Sequence, residues 1–252
     1  MESLNKRYQK ELTFDLPIEY KGLLLHPVKM IDYFDFIYAC CVFQQDKNAK
    51  GFQYISKTYL EFLVDIIKQG ELEGQMYGIM LYKIFSLVLN ETAVEVKYGM
   101  TEDNKPYLEV KDTTLDSAEF EEIRDLILLQ NLPKYKHEEI LDKDLQKDIE
   151  EYQRLTSKGT HMASLEKQIL AIQLGYGLSS DYIYNMSIRK FQLAFEIMEK
   201  KTNYLILKQA SMSGFVTFKN EINHYLMEND VEEQTEGTVE AQSFINKIQS
   251  TH

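Results

Sequence analysis

The sequence predicts a mainly α (α+β) protein. A helical N-terminal module carries a small β-hairpin/helix insert, and a C-terminal helical module follows. Three observations predict this. Apolar residues recur at helical spacing along most of the 252 residues. One stretch breaks that rhythm, where Val94, Val96 and Tyr98 alternate with Glu95 and Lys97 at a period of two. Only 4 prolines and 11 glycines punctuate the chain, too few for a linker-dominated or collagenous sequence. Hydrophobic residues make up 44%, enough for a sizeable core.

Residues 1–132 form the predicted N-terminal domain. Its first 16 residues are charged and read as a mobile arm. Leu23–Leu24–Leu25 is a short apolar run stopped at Pro27, which suits the first turn of a helix led by Val28 and Lys29. Tyr33, Phe34, Ile37 and Cys41 make one stripe of that helix, and Phe36, Cys40 and Phe43 a second. A helix apolar nearly all round is expected to be buried. After the polar loop 44–53, Ser56 is the expected cap of a helix ending at Gly70, with Tyr59, Leu60, Leu63, Val64 and Ile67 inward. A third helix spans 74–89.

The insert covers 90–132. A hairpin pairs the 94–98 run with 107–110. Asp116 and Glu119 then form a capping-box pattern opening a helix with Phe120, Ile123, Leu126 and Ile127 inward. Residues 133–163 read as a charged connector. Within it, Gly159–Thr160–His161–Met162–Ala163–Ser164 looks like a vector-derived scar, and equally suits a polar connector. The C-terminal module covers 164–228. A Leu/Ile-rich helix stops near Gly175–Tyr176–Gly177, a short helical turn spans Ser180 to Asn185, and a long amphipathic helix runs from Met186–Ser187 to about Met212. Residues 229–252 read as an acidic flexible tail.

Charge and motifs narrow the function classes. With 28 Lys and Arg against 40 Asp and Glu, the net charge is −12. That balance repels phosphate backbones, so a nucleic-acid partner is unlikely. It suits a protein that keeps itself or a partner from aggregating. No Gly-rich phosphate loop, G-x-S-x-G, H-E-x-x-H or C-x-x-C occurs, so the chain reads as not an enzyme, with no cofactor and no metal site. His26 lacks a second ligand nearby, and His137 beside Glu138 and Glu139 lacks ligand spacing. Adjacent Cys40 and Cys41 read as reduced, buried residues and a cytoplasmic location. The N-terminus has no apolar signal core, and no run of about 18 apolar residues predicts a membrane span. The alternative reading is a nucleic-acid-binding regulator. Its helix-turn-helix-like module would offer Arg189, Lys190 and Gln192 to base edges.

The run from Gly177 to Phe191, GLSSDYIYNMSIRKF, closes one short helix and opens the next. It resembles the tail assembly chaperone family of long-tailed bacteriophages. There, glycine, an apolar residue, Ser or Thr, an apolar residue, Met-Ser/Thr and Phe follow in this order. The runs Leu25–Val28, Asp32–Phe36 and Tyr204–Phe218 also resemble proteins encoded among phage tail genes. The resemblance implies a non-enzymatic binder that solubilises the tape-measure protein during tail assembly, with the tail-tube protein as a further partner. On this reading Tyr182, Met186, Phe191, Phe195 and Met198 form the partner-binding region.

Overall fold

A computed structural model describes residues 2–133, 163–213, 218 and 222–227. The architecture is mainly α with two small antiparallel sheets. The chain divides into two units. The first combines Met1–Ser164 with Leu178–Gln192, and the second combines Leu165–Gly177 with Leu193–His252. The expected C-terminal module at 164–228 is therefore divided, since its middle segment belongs with the N-terminal unit.

The first unit opens with α1 (Glu2–Arg7) and α2 (Gln9–Phe14). The expected mobile arm is thus folded. Leu4 and Leu12 are buried, and Arg7 pairs with Glu122 at 2.9 Å. A two-stranded hairpin follows, β1 (Ile18–Tyr20) and β2 (Leu23–Leu25), with Tyr20 opposite Leu23. Its two-residue turn, Lys21–Gly22, has φ of 51° and 82°, the positive pair that a type I′ turn requires. The Leu run is therefore a strand, buried at Leu23 and Leu25.

Pro27 does not open a helix. Lys29 is extended, and it bridges Ser187 far along the chain. A 3-10 turn at Met30–Asp32 leads into α3 (Tyr33–Cys40) and a second 3-10 turn at Cys41–Phe43. Short α4 (Lys47–Lys50) precedes α5 (Tyr59–Lys68). The cap of α5 is Thr58, not Ser56. Its side chain accepts from Glu61 N at 3.2 Å while Glu61 accepts from Thr58 N at 2.8 Å, a complete capping box. α6 (Leu72–Leu89) follows, then a three-stranded meander of β3 (Val96–Met100), β4 (Pro106–Val110) and β5 (Thr113–Leu115). β4 pairs with both neighbours, so the expected hairpin has a third strand. α7 (Ser117–Asn131) carries the expected capping box at Asp116 and Glu119.

The core sits between α3, α5, α6 and α7. Phe43 meets Phe85 and Phe120 edge-on at 6.3 and 5.9 Å, and Tyr59 stacks on Phe120 at 6.4 Å. Phe120, Ile123, Leu126 and Ile127 are fully buried, as their spacing predicts. The 90–132 segment is therefore central to this unit. Arg124 lies within the core's rim, 3.8 Å from the Tyr59 ring centre, and its Nε donates to Phe43 O at 2.8 Å.

The second unit holds α8 (Leu165–Tyr176) and most of α10 (Ile188–Met212), whose first residues, to Gln192, belong to the first unit. Between them in sequence, α9 (Ser180–Asn185) packs in the first unit with the Met30–Asp32 turn. Gly175 is close to Met198, since a Cβ there would lie 3.1 Å from Met198 Sδ. The charged connector and the acidic tail fall almost wholly outside the described residues.

Two stability outcomes follow from this packing. A Cβ on Gly74 would lie 2.3 Å from Ile66 O and 2.9 Å from Ile67 Cα, both backbone atoms. Gly74→Ala is expected to lower the unfolding free energy by about 1–3 kcal/mol in urea melts. On an open helix the same change gains about 1 kcal/mol. Asn131→Ala strips the buried acceptor of Val28 N, now 2.8 Å away. It is expected to cost about 1–3 kcal/mol in the same assay.

Candidate functional site: an exposed apolar face on the first unit

The candidate binding residues are divided between the two units and differ widely in exposure. Tyr182 stands 59% exposed on α9. Met186 is half-buried, and its carbonyl accepts from Met30 N at 2.9 Å. Phe191 is 1% exposed and belongs to the core of the first unit. A side chain so enclosed presents nothing to a partner. Phe195 and Met198 are half-buried in the second unit.

The reason lies in the backbone. Ile188 N donates to Val28 O at 2.9 Å, on the other flank of the Lys29–Ser187 bridge. Lys29 Nζ reaches Asn185 Oδ1 at 3.2 Å. This clamp turns Ile183, Ser187, Ile188 and Phe191 inward. It also occupies the basic residues of the helix-turn-helix reading. Arg189 donates to Leu129 O at 2.7 Å, and its burial pulls its pKa down. Lys190 pairs with Asp15 at 3.4 Å.

What the first unit does expose is apolar. On α3 and the turn before it, Ile31, Phe34 and Tyr38 are 64%, 73% and 41% exposed. Their spacing places them on one helix face, opposite buried Phe36, Ala39 and Cys40. The expectation of an all-round buried helix fails on this side. On α6, Leu72, Met76 and Ile79 form a second exposed row. α3 and α6 pack along each other. Lys83, one turn beyond Ile79, pairs with Asp35 at 2.7 Å and sits 5.9 Å from the Tyr38 ring centre. That contact joins the two rows. Tyr182 lies on α9, which packs beside the 3-10 turn carrying Ile31. With Tyr182, these seven large apolar side chains of the first unit are each 38% or more exposed.

The α6 row ends at a cavity of about 550 Å³ lined by Gln45, Glu71, Leu72, Glu73, Met76 and Tyr77. Lys50 pairs with Glu73 and holds its carboxyl below the usual carboxylate range, with the Tyr77 hydroxyl assisting at 2.6 Å. Burial, and then Glu73, push the Tyr77 phenol up. Glu71 has no partner among the described residues. Cys40 is buried, and its thiol is pushed up to about 12 by that burial. Among the described residues no group of three or more His, Cys, Asp or Glu could hold a metal ion, and no helix is long and apolar enough to cross a membrane.

The sequence reading missed this face because periodicity shows that a helix has apolar residues, not which of them a neighbour covers. The signal was present in excess: α3 and α6 carry more apolar positions than one buried stripe uses. Comparison with protein-family models, with curated proteins and with solved structures finds no match.

Two measurements check these placements. Tyr182→Ala is expected to change stability by less than about 0.5 kcal/mol. Phe191→Ala should cost about 3–5 kcal/mol; both are read in chemical denaturation. In the native protein a thiol-specific reagent at pH 8 should leave Cys40 unmodified, since its thiolate is scarce and enclosed, and label it only after denaturant is added.

Proposed function

We propose that this chain is a non-enzymatic tail assembly chaperone of the long-tailed phage type. It holds apolar helical surface of the tape-measure protein in the host cytoplasm until the tail tube takes that surface over. The observation that carries this reading is the uncovered apolar face along α3 and α6. A folded unit that has buried Phe36, Phe43, Phe85 and Phe120 leaves Phe34, Leu72 and Ile79 in water, which is unfavourable unless another molecule covers them. Two exposed apolar rows that meet at Lys83 and Tyr38 offer a surface to a third helix, seated through anchors at i, i+3, i+4 and i+7. The net charge of −12 keeps a coated partner in solution. The resemblance of the 177–191 run supplies the phage context. The engagement of Arg189 with Leu129 O and of Lys190 with Asp15 weighs against the nucleic-acid alternative.

Co-expression with the tape-measure and tail-tube proteins of the same source tests the proposal. The expected result is a tape-measure protein that is insoluble alone and co-elutes with this chain in size-exclusion chromatography. Phe34→Asp combined with Ile79→Asp should abolish co-elution and leave the circular-dichroism melt unchanged. Absence of a complex with either partner would overturn the assignment.

A further inference from the structure

We propose that the α3–α6 face selects an amphipathic helix carrying lysine or arginine beside its apolar stripe, with one basic side chain entering the cavity at the start of α6. This rests on reading the face as a binding surface, but not on the identity of the partner.

The apolar rows set the size of the occupant. From Leu72 to Ile79 the α6 row covers about two helical turns, roughly 10 Å. The α3 row, Ile31 to Tyr38, has the same length in residues. The rows follow one another, because Tyr38 at the end of the α3 row meets Lys83 beyond Ile79 while Tyr77 meets Gln45 further on, so a helix laid along the face meets each row in turn. The surface is built from helices, so an extended peptide finds no strand edge here to pair with.

The charges set its chemistry. Asp32 and Asp35 flank Phe34, and Glu71 and Glu73 flank Leu72. Two lysines answer them from within the chain, Lys83 at Asp35 and Lys50 at Glu73. The carboxylates of Asp32 and Glu71 have no partner among the described residues. Covering the face with a neutral helix would take Glu71 out of water uncompensated, and an acidic helix would add like charge. A lysine or arginine resolves both problems. Its methylenes lie on Leu72 and Met76 while its head reaches Glu71 across the cavity mouth. Lys50 on Glu73 already shows this cavity wall accepting a cation on a flexible stem. The same acids disfavour phosphate-rich polymers and anionic lipid surfaces.

The test uses three labelled peptides of about 20 residues with one shared apolar stripe. Their flanks carry lysine, glutamine or glutamate. Each is titrated with the full chain and read by fluorescence anisotropy at about 50 mM and 500 mM salt. The lysine peptide is expected to bind at least about tenfold tighter than the glutamate peptide at low salt, with the gap closing at high salt. Glu71→Lys should remove most of that preference and spare binding of the glutamine peptide. Phe34→Asp should abolish binding of all three, with the far-ultraviolet spectrum unchanged. Equal affinity for all flanks, or binding that survives Phe34→Asp, would overturn the inference. So would light scattering showing that the free protein is a dimer that Phe34→Asp converts to monomer, because the face would then belong to a second copy. A charge preference without tape-measure capture retains this inference and removes the phage role. Capture without charge preference does the reverse.

Discussion

Val28 is the point on which the first unit depends. Its N–H donates to Asn131 Oδ1 at 2.8 Å, and its carbonyl accepts from Ile188 N at 2.9 Å. One residue, 3% exposed, thus ties together three stretches separated by more than 50 residues each. Neither bond competes with water, because both lie in the interior, where an unmade backbone bond costs the full desolvation of its group. Asn131 holds its position by donating from Nδ2 to Ile127 O at 2.9 Å, one turn back on α7. The end of α7, the approach to α3 and the start of α10 are fixed by one small polar junction.

That junction has a consequence for the surface. By drawing 178–192 into the first unit, it buries Ile183, Ile188 and Phe191 and turns Tyr182 outward beside the Ile31 turn. The aromatic core spends its interior faces on Phe36, Phe43, Phe62 and Phe85. α3 and α6 then retain an outer apolar side with no element of the described chain upon it. The ion pair of Lys83 with Asp35 and its approach to Tyr38 join the end of one row to the end of the other. A pair so exposed contributes little to stability.

The second unit is built differently. Among its described residues Ile172 alone is buried, and Leu174, Leu205, Ile206 and Met212 are more than half exposed. Helices with so little enclosed surface draw little of their stability from tertiary packing, which is where most helical stability in proteins arises. Among the described residues burial is concentrated in the first unit, which also carries the α3–α6 face.

Much of the fold was legible along the chain because local rules decide it. The short helix at Ser180–Asn185, the capping box at Asp116 and Glu119, and the inward set Phe120, Ile123, Leu126 and Ile127 all rest on interactions within about four residues. The β1–β2 hairpin was not read, because its strands are only three residues long and an apolar run that short has no diagnostic period. Thr58 displaced Ser56 as a cap because Glu61 stands three residues after Thr58, the spacing a capping box needs. By itself, then, the sequence determined a mainly helical, acidic protein with its helices nearly in place, and no motif that names a reaction. Only the tertiary structure decided which apolar stripe faces inward. Phe191 and Phe34 are the same residue type at helical spacing, and one is 1% exposed while the other is 73%. Phe191 is enclosed through the junction at Val28 and Asn131, both more than 50 residues from it in sequence, and burial is a property of what arrives from elsewhere in the chain rather than of the residue that is covered.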